Sequence, residues 1–263
     1  MNNILCPTDL SATAMQGVTY AEIIATRLSS SISLLHVMDN KEKKADHSAK
    51  AKAELENQRA LVSQAPVVMH IREGEFMHEI TEESRAGHSL MVCSTHGIRG
   101  LRQSLFGTDI IKLVRKVAIP SLVVQKQSPR TNDFGTIVMP VAAHAEIDRL
   151  LDAVCLLAKS FGSTVHIYQL IRPGEKASEE LERNKAHMAE RLTAEAVPFK
   201  QVEEPSKGFS VGFSWPTIEY AQRVGAGCIA IMSVASDEYR YIADAEKERL
   251  LTNEPGIPVL CAH

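Results

Sequence analysis

Between Leu90 and Val124 the sequence runs LMVCS, THGIRGLRQSLFGT, DIIKLVRKVAIP and SLVVQ, which predicts a buried strand, a glycine-bearing loop, a helix and a second buried strand. The loop ends at Gly107-Thr108, where the helix begins. The first amides of a helix have no intrahelical acceptor, and aligned peptide dipoles place about half a positive charge there, so this junction suits a phosphate. Gly97, Gly100 and Gly107 allow positive φ and close backbone approach, and the Thr108 hydroxyl adds a donor. Machinery for turnover is not evident. There is no Gly-x4-Gly-Lys-Ser/Thr loop, no Gly-x-Gly-x2-Gly, no Gly-x-Ser-x-Gly and no carboxylate pair placed to hold Mg²⁺. His144, His166 and His263 lack ligand spacing and a cysteine pair, so no metal site and no catalytic residue is expected.

The elements that would position this loop come twice. A shift of 133 residues lays TIVMPVAAHAEIDRLLDAVCLLAKSFGSTVHIYQLI over NILCPTDLSATAMQGVTYAEIIATRLSSSISLLHVM, with Pro140 on Pro7 and Ser163 on Ser30; near the ends, a shift of 138 lays Gly256-Ile257-Pro258 over Ala118-Ile119-Pro120. Two tandem α/β domains follow, 1–126 and 136–263, joined by a polar linker at 127–135 that carries Pro129. In the first unit, strands are expected near 2–7, 32–38, 66–72, 89–94 and 121–126, with helices near 12–29, 42–63, 75–87 and 107–117. In the second, strands are expected near 136–141, 164–170, 198–203, 227–233 and 258–262. Alternating apolar runs and amphipathic stretches predict parallel, doubly wound, Rossmann-like sheets. With five strands in the order 3-2-1-4-5, the order reverses between strands 1 and 4, and a ligand would sit at their carboxyl ends. The turn after strand 1 and the loop after strand 4 thus meet at one crevice.

These residues resemble the universal stress protein family, whose signature is Gly-x2-Gly-x9-Gly-(Ser/Thr). Ser94-x2-Gly97-x9-Gly107-Thr108 keeps every position but the first glycine, and ILCPTDLS and LLHVMD stand at the expected separations, so the resemblance spans residues 1–126. It implies an adenine nucleotide alpha hydrolase-like fold and a site for ATP, AMP or ADP, with which Mg²⁺ could enter. Carried over residue by residue, it puts Pro7, Thr8 and Asp9 beside the nucleoside, with Asp9 on the ribose hydroxyls and adenine. Val37 lies along the adenine, Cys93 and Ser94 border base and ribose, and His96, Gly97, Gly107, Thr108 and Asp109 surround the phosphates. Ser94 adds a Cβ where glycine is usual, which should weaken or shift binding. Asp109 competes with phosphate for the helix amides, and Arg99 and Arg102 are the nearest cations to offset it. The resemblance also implies a regulatory role in stress survival, with at most weak ATPase activity or self-phosphorylation. An ATP pyrophosphatase would carry a Ser-Gly-Gly loop where Pro7-Thr8-Asp9-Leu10-Ser11 stands. The plainer alternative stays open: Asp9 or Ser11 could cap the first helix and Gly107-Thr108 the fourth, with nothing bound, leaving a ligand-free interaction module.

The second unit loses the motif. Thr8-Asp9 becomes Val141-Ala142, Gly97 becomes Ser236, and Gly107-Thr108 becomes Ala245-Glu246, a carboxylate where phosphate would sit, with no cation close by in sequence. The second unit is therefore expected to bind no ATP and to serve as a structural or docking partner, or to take something uncharged. The units are expected to pair through SLVVQ and PVLCA, as the family's homodimers do; whether chains associate further is not written in the sequence.

A net charge of −3 with no basic face excludes nucleic acid as the main partner. With no basic leader and no apolar run of about 18 residues, the expectation is a cytoplasmic protein without a membrane span. Cys6, Cys93, Cys155, Cys228 and Cys261 are scattered and read as buried free thiols, Trp215 as a packing residue, and the charge-rich stretches 41–52 and 175–191 as solvated helix faces.

Overall fold

The computed structural model describes residues 3–38, 45–95, 110–172, 174, 176–206, 212–236 and 242–263. The front half runs β1 (Asn3–Thr8), α1 (Ala14–Arg27), β2 (Ser31–Met38), α2 (Ala45–Ala60), β3 (Val67–Glu73), α3 (Phe76–Glu83), β4 (His88–Thr95), α4 (Ile110–Lys116) and β5 (Ser121–Gln125). The rear half repeats the series as β6 (Thr136–Pro140), α5 (Asp148–Phe161), β7 (Thr164–Ile171), α6 (Glu179–Ala194), β8 (Phe199–Pro205), α7 (Ser214–Arg223), β9 (Cys228–Met232), α8 (Ala243–Leu251) and β10 (Val259–Ala262). The strands form one sheet in the order β3-β2-β1-β4-β5-β10-β9-β6-β7-β8, so each half has the expected 3-2-1-4-5 order.

Pairing is parallel throughout except where the halves meet. There β5 and β10 run antiparallel, with Val259 opposite Val123, Leu260 opposite Leu122 and Cys261 opposite Ser121. The central strands are buried on both faces because helices cover both, which is why LVV of β5 and CIAIM of β9 read as unbroken apolar runs. Alternate residues feed two cores. Ile4 and Cys6 pack with Ile24 of α1 and Leu151 of α5 on one face; Leu5 packs with Ile80 of α3, Leu113 of α4 and Leu250 of α8 on the other. The five cysteines are free and buried as expected. Among the described residues, no helix is long and apolar enough to cross a membrane.

The segment read as a linker is held along its length. Ser128 Oγ donates to the Gly256 carbonyl at 2.7 Å, and Asn132 Nδ2 donates to the Gly227 carbonyl at 2.8 Å. Phe134, with φ 51° and no exposed surface, sets its ring edge-on to Tyr20 at 6.1 Å and against Phe161 at 4.8 Å. Its polar composition reflects groups that tie the halves together rather than solvation. Trp215 is not a packing residue: it is 62% exposed, because the buried stripe of α7 runs through Ser214, Thr217, Ile218 and Ala221, one helical step away. The 175–191 stretch is largely a solvated face, yet Lys185 turns inward to Gln169 at 2.6 Å and to Glu203, while Asn184 holds the Ala142 and His144 carbonyls.

Candidate functional site

The front crevice begins with Pro7. Pairing of β1 with β4 runs only from Asn3 to Leu5, whereas pairing with β2 continues to Thr8 opposite His36. Proline cannot donate to a ladder, so its place near the end of a central strand marks where two strands part. Pro140 occupies the corresponding place in β6, which pairs with β9 at Ile137 and Val138.

Beyond Pro7 the chain turns sharply. Leu10 takes φ 61°, a left-handed conformation costly for a bulky residue. The turn is fixed by its own side chains. The Leu10 amide donates to Thr8 Oγ1 at 3.0 Å, the Ser11 amide to Asp9 Oδ1 at 3.0 Å, and the Ala14 amide to Ser11 Oγ at 3.2 Å. Of the two proposed helix caps, Ser11 thus contributes to the start of α1 while Asp9 serves the preceding turn. Thr8 Oγ1 also donates to Gln58 Oε1 of α2 at 2.8 Å, and His36 Nδ1 lies 2.9 Å from the Thr8 carbonyl. Gln58, buried on a helix otherwise rich in charge, was not legible as a site neighbour; an uncharged residue on a charged stretch was its only signal.

The structure brings Pro7, Thr8, Asp9, Val37, Cys93 and Ser94 to the carboxyl ends of β1, β2 and β4, which are neighbours in the sheet. His96, Gly97, Gly107, Thr108 and Asp109, with Gly100, Arg99 and Arg102, lie outside the described residues. Cys93 is wholly buried, and desolvation, with Cys6 adding, raises its thiol pKa far above the ordinary value; it can offer a ligand only backbone. Ser94 packs under α1. A Cβ built on Gly17 would meet the Ser94 amide nitrogen at 3.4 Å and the Ser94 Cβ at 3.6 Å, ordinary contact distances, so α1 lies directly over the residue that replaces glycine in the motif.

The rear crevice differs in lining. A cavity opens at the carboxyl ends of β6, β7 and β9, walled by Val141, Ala142, Tyr168, Phe213 and Ile231 and closed on one side by Lys247 of α8. It offers about 50 Å³ to the centre of a water molecule. Val141, Ala142 and Ser236, the counterparts of Thr8, Asp9 and Gly97, all line it. Glu246 does not, and the expectation for it needs correction. Its carboxylate turns to the start of α7, accepting from the Ser214 amide and hydroxyl at 2.8 Å each, and Arg249, one turn along, donates to it at 2.7 Å. A cation does stand close in sequence, and the residue facing the cavity is the next one, Lys247. Burial, with Arg115 adding, pulls the Lys247 ammonium down to about 8. Ala243, Lys247, Leu250 and Leu251 fall at i, i+4, i+7 and i+8, so an inward lysine was readable from helical spacing. His166 lies against the Tyr220 hydroxyl at 2.8 Å, and among the described residues no group of three candidate metal ligands assembles.

The fold is doubly wound α/β, and each half has a crevice at the carboxyl ends of its strands, where the strand order reverses. Residues 1–125 match the universal stress protein family. Among solved structures, the chain resembles a universal stress protein from Archaeoglobus fulgidus at 16% identity and a TM-score of 0.68, covering 99% of this chain and 96% of that one. A functionally unknown protein from Pseudomonas aeruginosa is similar at 16% identity and a TM-score of 0.58, covering 99% and 92%. The cytoplasmic domain of a prokaryotic cation chloride cotransporter follows the same fold at 11% identity and a TM-score of 0.52, covering 99% and 94%. At these identities the likeness is one of fold. Among curated proteins, none matches the chain.

Proposed function

We propose that the chain is a tandem universal stress protein whose first domain, 1–126, binds an adenine nucleotide and whose second, 136–263, does not. Nucleotide binding acts as a regulatory signal with little or no turnover. The observation that carries this reading is the convergence at the front switch point. The strained turn bearing Asp9 stands beside the end of β4, from which the chain enters the glycine-bearing sequence 94–108. The family match of residues 1–125 supports the same ligand class. Strain at Leu10, held by three local hydrogen bonds, keeps the Asp9 carboxylate in place before any ligand arrives. The rear crevice lacks the acid, having Ala142 in its place. Pairing of β5 with β10 supports an intramolecular counterpart of a homodimer, and a location in the cytoplasm accords with this reading.

The test is to denature freshly purified protein and chromatograph the supernatant for adenine nucleotide, then titrate ATP into the stripped protein with and without Mg²⁺. About one nucleotide per chain is expected. Asp9→Ala should weaken binding at least ~100-fold, since two hydrogen bonds to a charged acceptor are worth ~1.5 kcal/mol or more each. Equal affinity in Asp9→Ala and parent would refute the site. An empty protein that takes up no nucleotide would favour the ligand-free interaction module, a reading that gains from the engagement of the Asp9 carboxylate with Ser11.

A further inference from the structure

The rear cavity differs in chemistry from the front crevice. Its walls are mostly apolar, with Val141, Leu150, Phe213 and Ile231 among them, and His144, Thr217 and Ser236 add polar groups. Into it faces one cationic side chain, Lys247, only 3% exposed. Among the described residues the only acceptor Lys247 engages is the neutral carbonyl of Val234. Asp244, one turn before it on α8, is paired with Arg115 of α4. Among the described residues the buried ammonium is thus met by one carbonyl, which leaves donors and charge that an anion would satisfy.

We propose that this cavity binds a small carboxylic acid with an apolar chain, its carboxylate on Lys247 and its chain between Tyr168, Phe213 and Ile231. The class follows from the lining. A phosphate ester or nucleotide would bring more charge than one lysine offsets and would leave polar groups against an apolar wall; a neutral apolar molecule would leave the ammonium unmatched. Size follows from the volume. About 50 Å³ of water-centre space corresponds to roughly four waters at ~10–15 Å³ each, so a chain of about six carbons fits better than a long acyl chain. The ammonium's lowered pKa agrees with a charge awaiting a partner.

The experiment is calorimetric titration of the full chain with hexanoate, decanoate and 1-hexanol, in the presence of saturating ATP so that the front site does not contribute. Hexanoate should bind at least tenfold tighter than either of the others. Lys247→Met should remove that preference for hexanoate over 1-hexanol, and Ala142→Phe, which fills the cavity, should lose both. A measurement that needs no variant uses methyl-labelled methionine in the parent protein. Met188 and Met232 line the cavity, and Met77 and Met91 lie in the front half. Hexanoate should shift the first pair and leave the second unchanged. The proposal is overturned if hexanoate binds no better than 1-hexanol, if decanoate binds best, if Lys247→Met retains the preference, or if Met77 or Met91 responds instead. Because the proposal does not depend on nucleotide binding, its failure leaves the front site untouched.

Discussion

Replacing Glu246 measures how a helix is capped from outside itself. Helix α7 starts at Ser214, and its N-cap residue, Phe213, supplies no side-chain acceptor. The acceptor comes instead from α8: Glu246, 5% exposed, takes both the amide and the hydroxyl of Ser214 at 2.8 Å. In Glu246→Ala the Ser214 amide is buried without a partner, a loss of ~1–3 kcal/mol, and the start of α7 loses the favourable interaction of its dipole with a carboxylate, ~0.3–1 kcal/mol. Arg249 adds little, since its side chain is half exposed. The total is about 3 kcal/mol, which at ~2–4 °C per kcal/mol for a chain of this size lowers the melting temperature by about 6–12 °C. Glu246→Gln keeps one acceptor and should lose about 1 kcal/mol. Gly212 supplies an internal control. A Cβ there would stand 2.5 Å from a Glu246 carboxylate oxygen, so Gly212→Ala should displace the carboxylate. The double variant should therefore lose less than the sum of the single losses. Thermal unfolding followed by far-ultraviolet circular dichroism reads the four variants and the parent. A melting temperature of Glu246→Ala within about 1 °C of the parent, or strict additivity with Gly212→Ala, refutes the capping role.

Phe134→Ala removes a wholly buried ring from between Tyr20 and Phe161, and should cost ~3–5 kcal/mol in urea denaturation; a loss below about 1 kcal/mol would mean that the seam does not depend on it. Stability should peak between about pH 8 and 9. Lys247 releases its proton near pH 8 when folded but keeps it to its ordinary value of 10.5 when unfolded, so stability rises through that window by ~1.4 kcal/mol per pH unit. Cys6 and Cys228, pushed up to about 12 by burial, oppose it from pH 9, where unfolded thiols ionise and folded ones do not; Cys93 and Cys261, also raised by burial, act the same way. Melting temperatures across pH 7–11 test this, and a flat profile above pH 9 contradicts it. Lys247→Met should abolish the rising limb that sets in near pH 8 and leave the fall above pH 9. Gly17→Ala should be neutral or gain up to ~1 kcal/mol, because the added methyl meets Ser94 at ordinary contact distance and alanine favours a helix; a loss above about 1 kcal/mol would show that α1 and β4 lie closer.

Elements recurring at the period of a strand or a helix were legible, because that period is written in residue type. The run SLVVQ was expected at 121–126 and found at Ser121–Gln125, and the first strand ends within a residue of Pro7 as expected. What the repeat register could not supply was rotation. Glu246 and Lys247 are adjacent on α8, so their side chains point about 100° apart. Aligning Gly107-Thr108 with Ala245-Glu246 fixes position along the helix, yet it says nothing about which of the two charges faces the crevice. That step of one residue changes the sign of the charge at the cavity. With Glu246 inward the rear half would repel anions; with Lys247 inward, and Glu246 spent on α7, it has an apolar cavity with a cation at its wall. The same register places Ala142 where Asp9 stands, and both halves keep a proline at the end of the first strand. The backbone opening is thus common to the two halves, and what each can bind is set by side chains that a single helical step can exchange.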